Sequence, residues 1–281
     1  MTRAFKAVCA AIALMLSFAA PVAAGPFEDG VAAHNRGDYS TAARFFRLPA
    51  EHGDAAAQFN LGVMYEHGQG VPQNHAEAAK WYRLAADQGN SNAQANLGVM
   101  LVEGRGVPQD FTEAVRLYRL AANHGHASAQ NNLGVAYRDG RSAAKDYAEA
   151  AKWFRRAAEN GFISAQYNLA HLYHVGGPGF PQNHAKAADW YNRAAGQGFA
   201  NAQYNLGMLY AEGRAILLND KREGLPLDYV RAHMWFNLAA AQGMKKAEEN
   251  RDIIARRMTP AQIAEAQKLA REWRPTTQPI R

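Results

Sequence analysis

A repeat of 36 residues is the sequence feature that most limits how this chain can fold. The pentad Ala-Gln-x-Asn-Leu occurs five times, in steps of 36, 36, 36 and 37 residues, starting at Ala57, Ala93, Ala129, Ala165 and Ala202. Self-similarity at such a period is typical of arrays whose small units each bury an apolar face against their neighbours. The sequence therefore predicts one array of repeats over most of its length.

The first half of each repeat predicts a helix. In the second unit it spans about 54–66, where Ala57, Leu61 and Tyr65 form a stripe of small and apolar side chains at helical spacing. Gly62, directly after Leu61, would let the paired helix approach closely because it has no side chain. The Gly- and Pro-rich residues 68–72 would then end the helix.

The second half of each repeat predicts a second helix. It would bury Ala78, Trp81 and Ala85, with the tryptophan position repeated at Leu117, Trp153, Trp190 and Trp235. We expect these N-cap residues: Asn74, Asp110, Asp146, Asn183 and Asp228. We expect these glycines to end the second helices: Gly89, Gly125, Gly161, Gly198 and Gly243.

The two ends of the array differ from its centre. Residues 42–47 align with 78–83 but lack the pentad before them, which is expected of a terminal unit with one neighbour. Residues 244–257 predict a helix. Then Thr259, Pro260 and Gln262 form a capping box before an apolar stripe that ends at Trp273. A tail from residue 275 is predicted to be disordered.

The first 24 residues have the pattern of a secretory signal peptide. Arg3 and Lys6 precede an apolar stretch over 7–20, and small residues lead to a cleavage site after Ala24. An uncleaved anchor is the alternative, but Pro21 interrupts the run before it reaches the roughly 20 residues that span a bilayer. We therefore expect export to the periplasm or beyond, with no transmembrane anchor after cleavage.

The chain as a whole carries a formal charge of +6 and one cysteine, Cys9, within the predicted signal. The basic residues fall at helical spacing on the outer face of the second helices, so we expect a solvated surface and no nucleic-acid partner. A disulfide framework and a cysteine-based structural zinc site are excluded.

These motifs resemble those of the Sel1-like repeat (SLR) family, the 36-residue branch of the tetratricopeptide-like superfamily. The resemblance covers about residues 27–243 and implies an all-α fold, a right-handed α/α superhelical solenoid whose first helices line a concave groove. It also implies a C-terminal capping element. The sequence departs from the family pattern at two places: residues 139–145, which lack the Gly-x-Gly-Val turn, and the long loop 213–227.

The predicted domain organisation follows from these segments. It comprises a signal peptide (1–24), a partial N-terminal capping repeat (27–53), five Sel1-like repeats (54–243), a C-terminal helical cap (244–274) and the tail (275–281).

Catalytic motifs are weak in this chain. Ser142-Ala-Ala-Lys145 matches the Ser-x-x-Lys pattern of penicillin-recognising enzymes, but it lies in a turn between helices and lacks the companion motifs. His171 and His174 share a helix face, yet no third ligand is evident for a metal. We therefore expect a protein that is not an enzyme and has no cofactor or metal. The alternative is a β-lactam-type hydrolase, as linked to some cysteine-rich SLR relatives.

The asparagine of each pentad is the main candidate for partner binding. An Asn amide can both donate to and accept from a peptide backbone; the alternative is that each Asn hydrogen-bonds the turn of the adjacent repeat and so fixes the superhelical twist. By family likeness its position borders the groove, which implies a non-catalytic scaffold or adaptor of the bacterial cell envelope, a monomer that binds a protein or peptide. The candidate residues are Asn60, Asn96, Asn132, Asn168, Asn205, Phe59, Tyr167, Tyr204 and His171.

Overall fold

A computed structural model of the chain describes residues 25–141, 144–213 and 228–276. This part of the chain folds into fourteen α-helices and contains no β-strand. The helices are α1 (Pro26–Asn35), α2 (Tyr39–Glu51), α3 (Ala55–His67), α4 (His75–Asp87), α5 (Ser91–Glu103), α6 (Phe111–Asn123), α7 (Ala127–Asp139), α8 (Tyr147–Glu159), α9 (Ile163–Val175), α10 (His184–Gly196), α11 (Ala200–Glu212), α12 (Tyr229–Ala240), α13 (Lys245–Ala255) and α14 (Pro260–Glu272). None of the described helices is long and apolar enough to cross a membrane.

The chain forms two compact units, one up to Leu84 and one from Ala85 onward. In the first unit α2 packs against α1 and α3, and in the second unit each helix from α5 to α12 packs against the next one along the chain. This arrangement confirms the predicted class, an all-α solenoid built from helix-pair repeats. Four predictions lie wholly or mainly outside the described residues: the signal peptide, Ser142, the 213–227 loop and the end of the tail.

The predicted helix ends are present in the structure. The five N-cap side chains of the second helices each accept a backbone N–H three residues later, at 2.8–3.1 Å. The five glycines after the second helices have φ between 83° and 91°, a left-handed conformation that costs glycine little. Each of these second helices therefore starts and stops where the sequence repeats its cap residues.

The pairing of the two helices depends on the glycine after the pentad leucine. A Cβ on Gly134 would lie 2.6 Å from the Phe154 ring, and Gly62, Gly98 and Gly207 face the aromatic side chains Tyr82, Tyr118 and Phe236 in the same way. The close approach predicted for Gly62 is thus confirmed. The glycine makes room for one aromatic ring of the paired helix.

The same contact corrects the predicted core of the second helix. Trp81 and Trp190 are only half-buried, whereas the residue after each, Tyr82 or Tyr191, is completely buried. The prediction that Trp81 belongs to the core was therefore wrong in part, because the space left by Gly62 receives the ring one position later. The neighbouring Ala78 and Ala85 are fully buried as predicted.

The pentad glutamine connects successive repeats. Its side-chain Nε2 donates to a carbonyl oxygen eight residues earlier, near the end of the preceding second helix, at 3.0–3.3 Å. The five buried glutamines are Gln58, Gln94, Gln130, Gln166 and Gln203. Each of these carbonyls also accepts the N–H of the glycine that ends the helix, so the glutamine adds a second hydrogen bond to it across a repeat boundary. The sequence analysis assigned this residue no role.

The C-terminal segment packs on the last repeat of the second unit. Both α13 and α14 contact α12, and the rings of Trp235 and Trp273 meet edge to face at 6.4 Å. The predicted capping box of Thr259 and Gln262 is present. Beyond α14, the Thr276 N–H donates to the Gly196 carbonyl at 2.7 Å.

Candidate partner-binding surface

The five pentad asparagines lie at equivalent places on α3, α5, α7, α9 and α11, and all five side chains are half-buried. Their neighbours one position earlier include Phe59, Tyr167 and Tyr204, which are half-buried as well, and His171 is exposed. Asn60 and Phe59 belong to the first unit, and the other seven residues belong to the second. We call the surface of the second unit that carries these seven residues the asparagine face.

Two asparagines of the second unit bond a tyrosine hydroxyl of the preceding repeat. Asn205 Nδ2 lies 3.2 Å from the Tyr191 hydroxyl, and Asn132 forms the equivalent hydrogen bond with Tyr118. Burial raises the pKa of both tyrosines, so each hydroxyl keeps its proton while it accepts from the amide. These rings are the ones admitted by the small residue after the pentad leucine.

Asn168 uses a different partner because the preceding second helix has Phe154, which lacks a hydroxyl. Its Nδ2 instead donates to Asn131 Oδ1 at 2.8 Å, on the preceding first helix. Asn250 of α13 does the same: after the hydroxyl-free Phe236, its Nδ2 donates to the Tyr204 hydroxyl at 3.0 Å. The asparagine amide thus donates either to a hydroxyl on the second helix of the preceding repeat or to a polar side chain on its first helix.

Asn250 is a member of the asparagine column that the sequence analysis missed. It stands three residues after the buried Ala247, as Asn205 stands three residues after Ala202. The Ala-x-x-Asn spacing was the available signal, but the absence of a following leucine concealed it. The predicted alternative in which the asparagines bond the adjacent repeat therefore describes three pentad amides of the second unit, although their partners are side chains and not the turn.

Aromatic side chains form the rest of the asparagine face in the second unit. The Tyr167 ring lies 5.3 Å from Phe199, 5.8 Å from Tyr191 and 6.2 Å from the His171 ring. Tyr204 packs 5.7 Å from the buried Phe236. These rings combine a packed edge with a half-exposed surface, which is the arrangement that favours tyrosine at binding interfaces.

The histidines on α9 do not come together in one site. His171 lies beside Tyr167, whereas the His174 ring meets the rings of His184 and Tyr191 at 5.4 and 6.1 Å. Partial desolvation and the nearby positive charge of Arg138 lower the pKa of His171, so its ring is neutral at pH 7. Among the described residues, no group of three His, Cys, Asp or Glu side chains could hold a metal ion.

The chain belongs to the Sel1 repeat family, which matches residues 55–90, 91–126, 127–162, 163–199 and 200–244. Proteins with Sel1 repeats typically mediate protein–protein interactions, and the family is generally one of scaffolds. No protein in the comparison with curated proteins matched the chain.

Two solved structures resemble this fold closely enough to support the assignment. A Sel1 repeat protein from Oxalobacter formigenes is 33% identical, with 88% of this chain and 96% of that chain covered and a TM-score of 0.71. A protective antigen of uropathogenic Escherichia coli with an SLR fold is 30% identical, with 88% and 68% covered and a TM-score of 0.64. The fold and the family thus agree with the repeat pattern in the sequence.

Proposed function

We propose that this chain is a non-catalytic scaffold or adaptor of the bacterial cell envelope that binds a segment of a protein partner on the asparagine face. The signal-like residues 1–24 support the envelope location, and Gly25 is the N-cap residue of α1, so cleavage after Ala24 would leave the first helix whole. We further propose that the mature protein acts as a monomer and carries no membrane anchor.

The observation that carries this proposal is the fixed position of the half-exposed tyrosines. Hydroxyls of Tyr167 and Tyr204 lie 3.5 and 3.0 Å from the amides of Asn205 and Asn250, so neighbouring helices hold them in place. A surface whose side chains are already ordered loses little conformational freedom on binding. In this arrangement the asparagines position the aromatic anchors, and the tyrosines and His171 contact the partner.

Backbone recognition by the asparagines is also part of the proposal. Each Asn side chain has two N–H donors and one carbonyl oxygen, and the bonds between repeats use one donor of Asn168. The remaining groups can pair with an extended peptide backbone. This division allows one residue to serve both the geometry of the repeat and the partner.

Site-specific photo-crosslinking in the native envelope tests this function. A benzoylphenylalanine at His171 is expected to capture a defined partner, whereas the same group at the exposed Lys152 of α8 serves as the matched control. The protein recovered from the envelope is expected to begin at Gly25 by N-terminal sequencing. Equal capture at both positions, or capture at Lys152 alone, would show that the asparagine face is not the binding surface.

A second measurement separates binding from folding. His171→Ala is expected to lower the affinity for the captured partner about five- to twentyfold. Because His171 is exposed, the melting temperature should stay within about a degree or two. Lys152→Ala is expected to change neither quantity. Unchanged affinity of the His171 variant would contradict the proposal.

A further inference from the structure

The turn between α7 and α8 differs from the turns before it. In the repeat 55–90 this turn contains Gly70, where a Cβ would collide with the Tyr39 backbone, and Val71, which packs against the core of the first unit. The same two positions of the repeat 127–162 hold Ser142 and Ala143, which lie outside the described residues. The residue of this repeat that aligns with Val71 is therefore an alanine, whose side chain is smaller.

A cavity of about 240 Å³ lies beside Arg141, between α5, α6 and α7. Its walls are mostly apolar and are formed by Val99, Val102, Phe111, Val115 and Val135. The polar side chains that line it, besides Arg141, are Tyr118, Asn132 and Glu103. Pockets for whole drug-sized ligands start at roughly 300 Å³, so this cavity suits one apolar side chain.

A second hollow of about 280 Å³ adjoins the first and shares Val115, Ala136 and Arg141 with it. Arg119 lines this second hollow, and its guanidinium donates to the Tyr137 hydroxyl at 2.8 Å. The Arg141 guanidinium lies 5.4 Å from the centre of the Phe111 ring. Arg141 thus stands where the apolar cavity meets the basic hollow.

The acidic side chains around these hollows are already paired. Glu113 accepts from Arg116 at 2.7 and 2.9 Å, and Glu103 pairs with Arg105 at 2.5 Å. Asp139 lies 2.8 Å from Arg138 but 3.8 Å from Arg141. Arg119 and Arg141 therefore leave the basic hollow with a net positive charge.

We propose that these two hollows, the Arg141 pocket, bind a partner segment in which an aliphatic or aromatic residue stands next to Asp or Glu. The apolar side chain fills the cavity, and the carboxylate receives charge-assisted hydrogen bonds from Arg141 and Arg119. This proposal rests on the proposed function and defines the chemistry of the partner. An adjacent apolar and acidic pair is the arrangement that satisfies both hollows at once.

Selection of random dodecapeptides displayed on phage against the full mature chain tests the pocket. The enriched clones are expected to place Leu, Ile or Phe beside Asp or Glu. For a synthetic peptide of the strongest clone, Arg141→Glu is expected to raise the Kd tenfold or more, since a charge-assisted bond becomes a repulsion. Lys152→Glu makes the same charge reversal at an exposed site on α8, outside the described lining of both hollows, and is expected to alter the Kd less than twofold.

A pair of filling substitutions tests the apolar half. Val135→Phe would occupy the cavity and is expected to weaken the peptide at least fivefold, whereas Val63→Phe makes the same change at the equivalent position in the first unit and should have no effect. Melting temperatures of all variants verify that they fold. Arg141→Gln removes the charge without reversing it, so its Kd for the peptide is expected to lie between those of wild type and Arg141→Glu.

The outcomes separate this inference from the broader function. Clones whose binding depends on His171 but not on Arg141 would overturn the pocket and leave the asparagine face intact. Selection that yields no binding peptide would overturn both. A dimer in sedimentation that dissociates on Arg141→Glu would identify a second copy of the chain as the occupant and would contradict a separate partner.

Discussion

Single residues in this chain compensate for one another across repeat boundaries. Asn132 and Asn205 bond tyrosine hydroxyls of the preceding second helix, and Asn168 finds Asn131 instead because Phe154 has no hydroxyl. A buried amide without a partner costs about 1–3 kcal/mol, which explains why a polar side chain stands at 131. The hydrogen-bonding requirement is the same in each case, and different residues meet it.

This compensation predicts a measurable coupling between positions 131 and 154. Asn131→Ala is expected to lower the free energy of unfolding by about 1–3 kcal/mol, because the Asn168 amide loses its acceptor. Phe154→Tyr alone should be nearly neutral. In the Asn131→Ala chain it should recover about half of the lost free energy, because it supplies a hydroxyl as Tyr118 and Tyr191 do. Urea denaturation of the two single variants and the double variant gives the coupling energy. If the two substitutions change the free energy of unfolding additively, the Asn168 amide does not switch from Asn131 to the new hydroxyl at position 154.

The periodic sequence made the helices and columns predictable, since each cap and each small residue recurs in register and helical spacing determines which residues share a face. The hydrogen-bond partner of each asparagine was harder to predict, because it depends on a residue in the preceding repeat, such as Phe154 or Phe236. The burial of Tyr82 instead of Trp81 was also missed. Adjacent positions on a helix differ by about 100°, and only the packing against Gly62 decides which ring enters the interface.

At the scale of the helix, the first helices differ in how their N-termini are capped. Asp54 and Asn90 cap α3 and α5 through side-chain oxygens, at 2.7 and 2.9 Å. His126 caps α7 through Nδ1, which accepts from the Ala129 N–H at 3.3 Å, while Nε2 lies 3.0 Å from Asn92 Oδ1. An imidazole can accept only in its neutral form, so this cap depends on protonation.

The cap predicts a pH dependence of stability. Burial lowers the pKa of His126 below that of an unfolded histidine, about 6.5. The unfolded chain then binds the proton more readily, so the contribution of the cap is complete above pH 6.5 and is lost as the pH falls through the folded pKa. His126→Asn should match wild type at pH 7.5 and exceed it by about 0.5–2 kcal/mol at pH 5.

Denaturation curves across pH 5–7.5 for wild type and His126→Asn provide the measurement. Desolvation also lowers the pKa of His171 and His233, with the same sign, but both histidines are present in the two proteins. The difference between the curves therefore reports His126. Parallel curves would mean that His126 does not act as a cap whose strength depends on pH.

On the scale of the whole molecule, the second unit ends with a helix that imitates the first half of a repeat. Helix α13 places Ala247 and Asn250 like a first helix, and α14 packs back onto α12. A helix-pair array gains stability from interfaces between neighbours, so its last repeat loses one interface unless another segment covers it. Trp235, only 7% exposed, is part of the surface that α14 helps to cover.

Removal of α14 tests whether this segment stabilises the array. A chain that ends at Met258 loses the Trp273 contact with Trp235 and the buried Ala266 and Ala270, and its free energy of unfolding is expected to fall by about 3–5 kcal/mol. A chain that ends at Thr276 keeps α14 and the bond to Gly196, so it should unfold like the full chain. Urea midpoints compare the two, and sedimentation should show self-association of the shorter chain through the uncovered α12. If both chains unfold at the same midpoint, α14 is an appendage and the last repeat is stable without it.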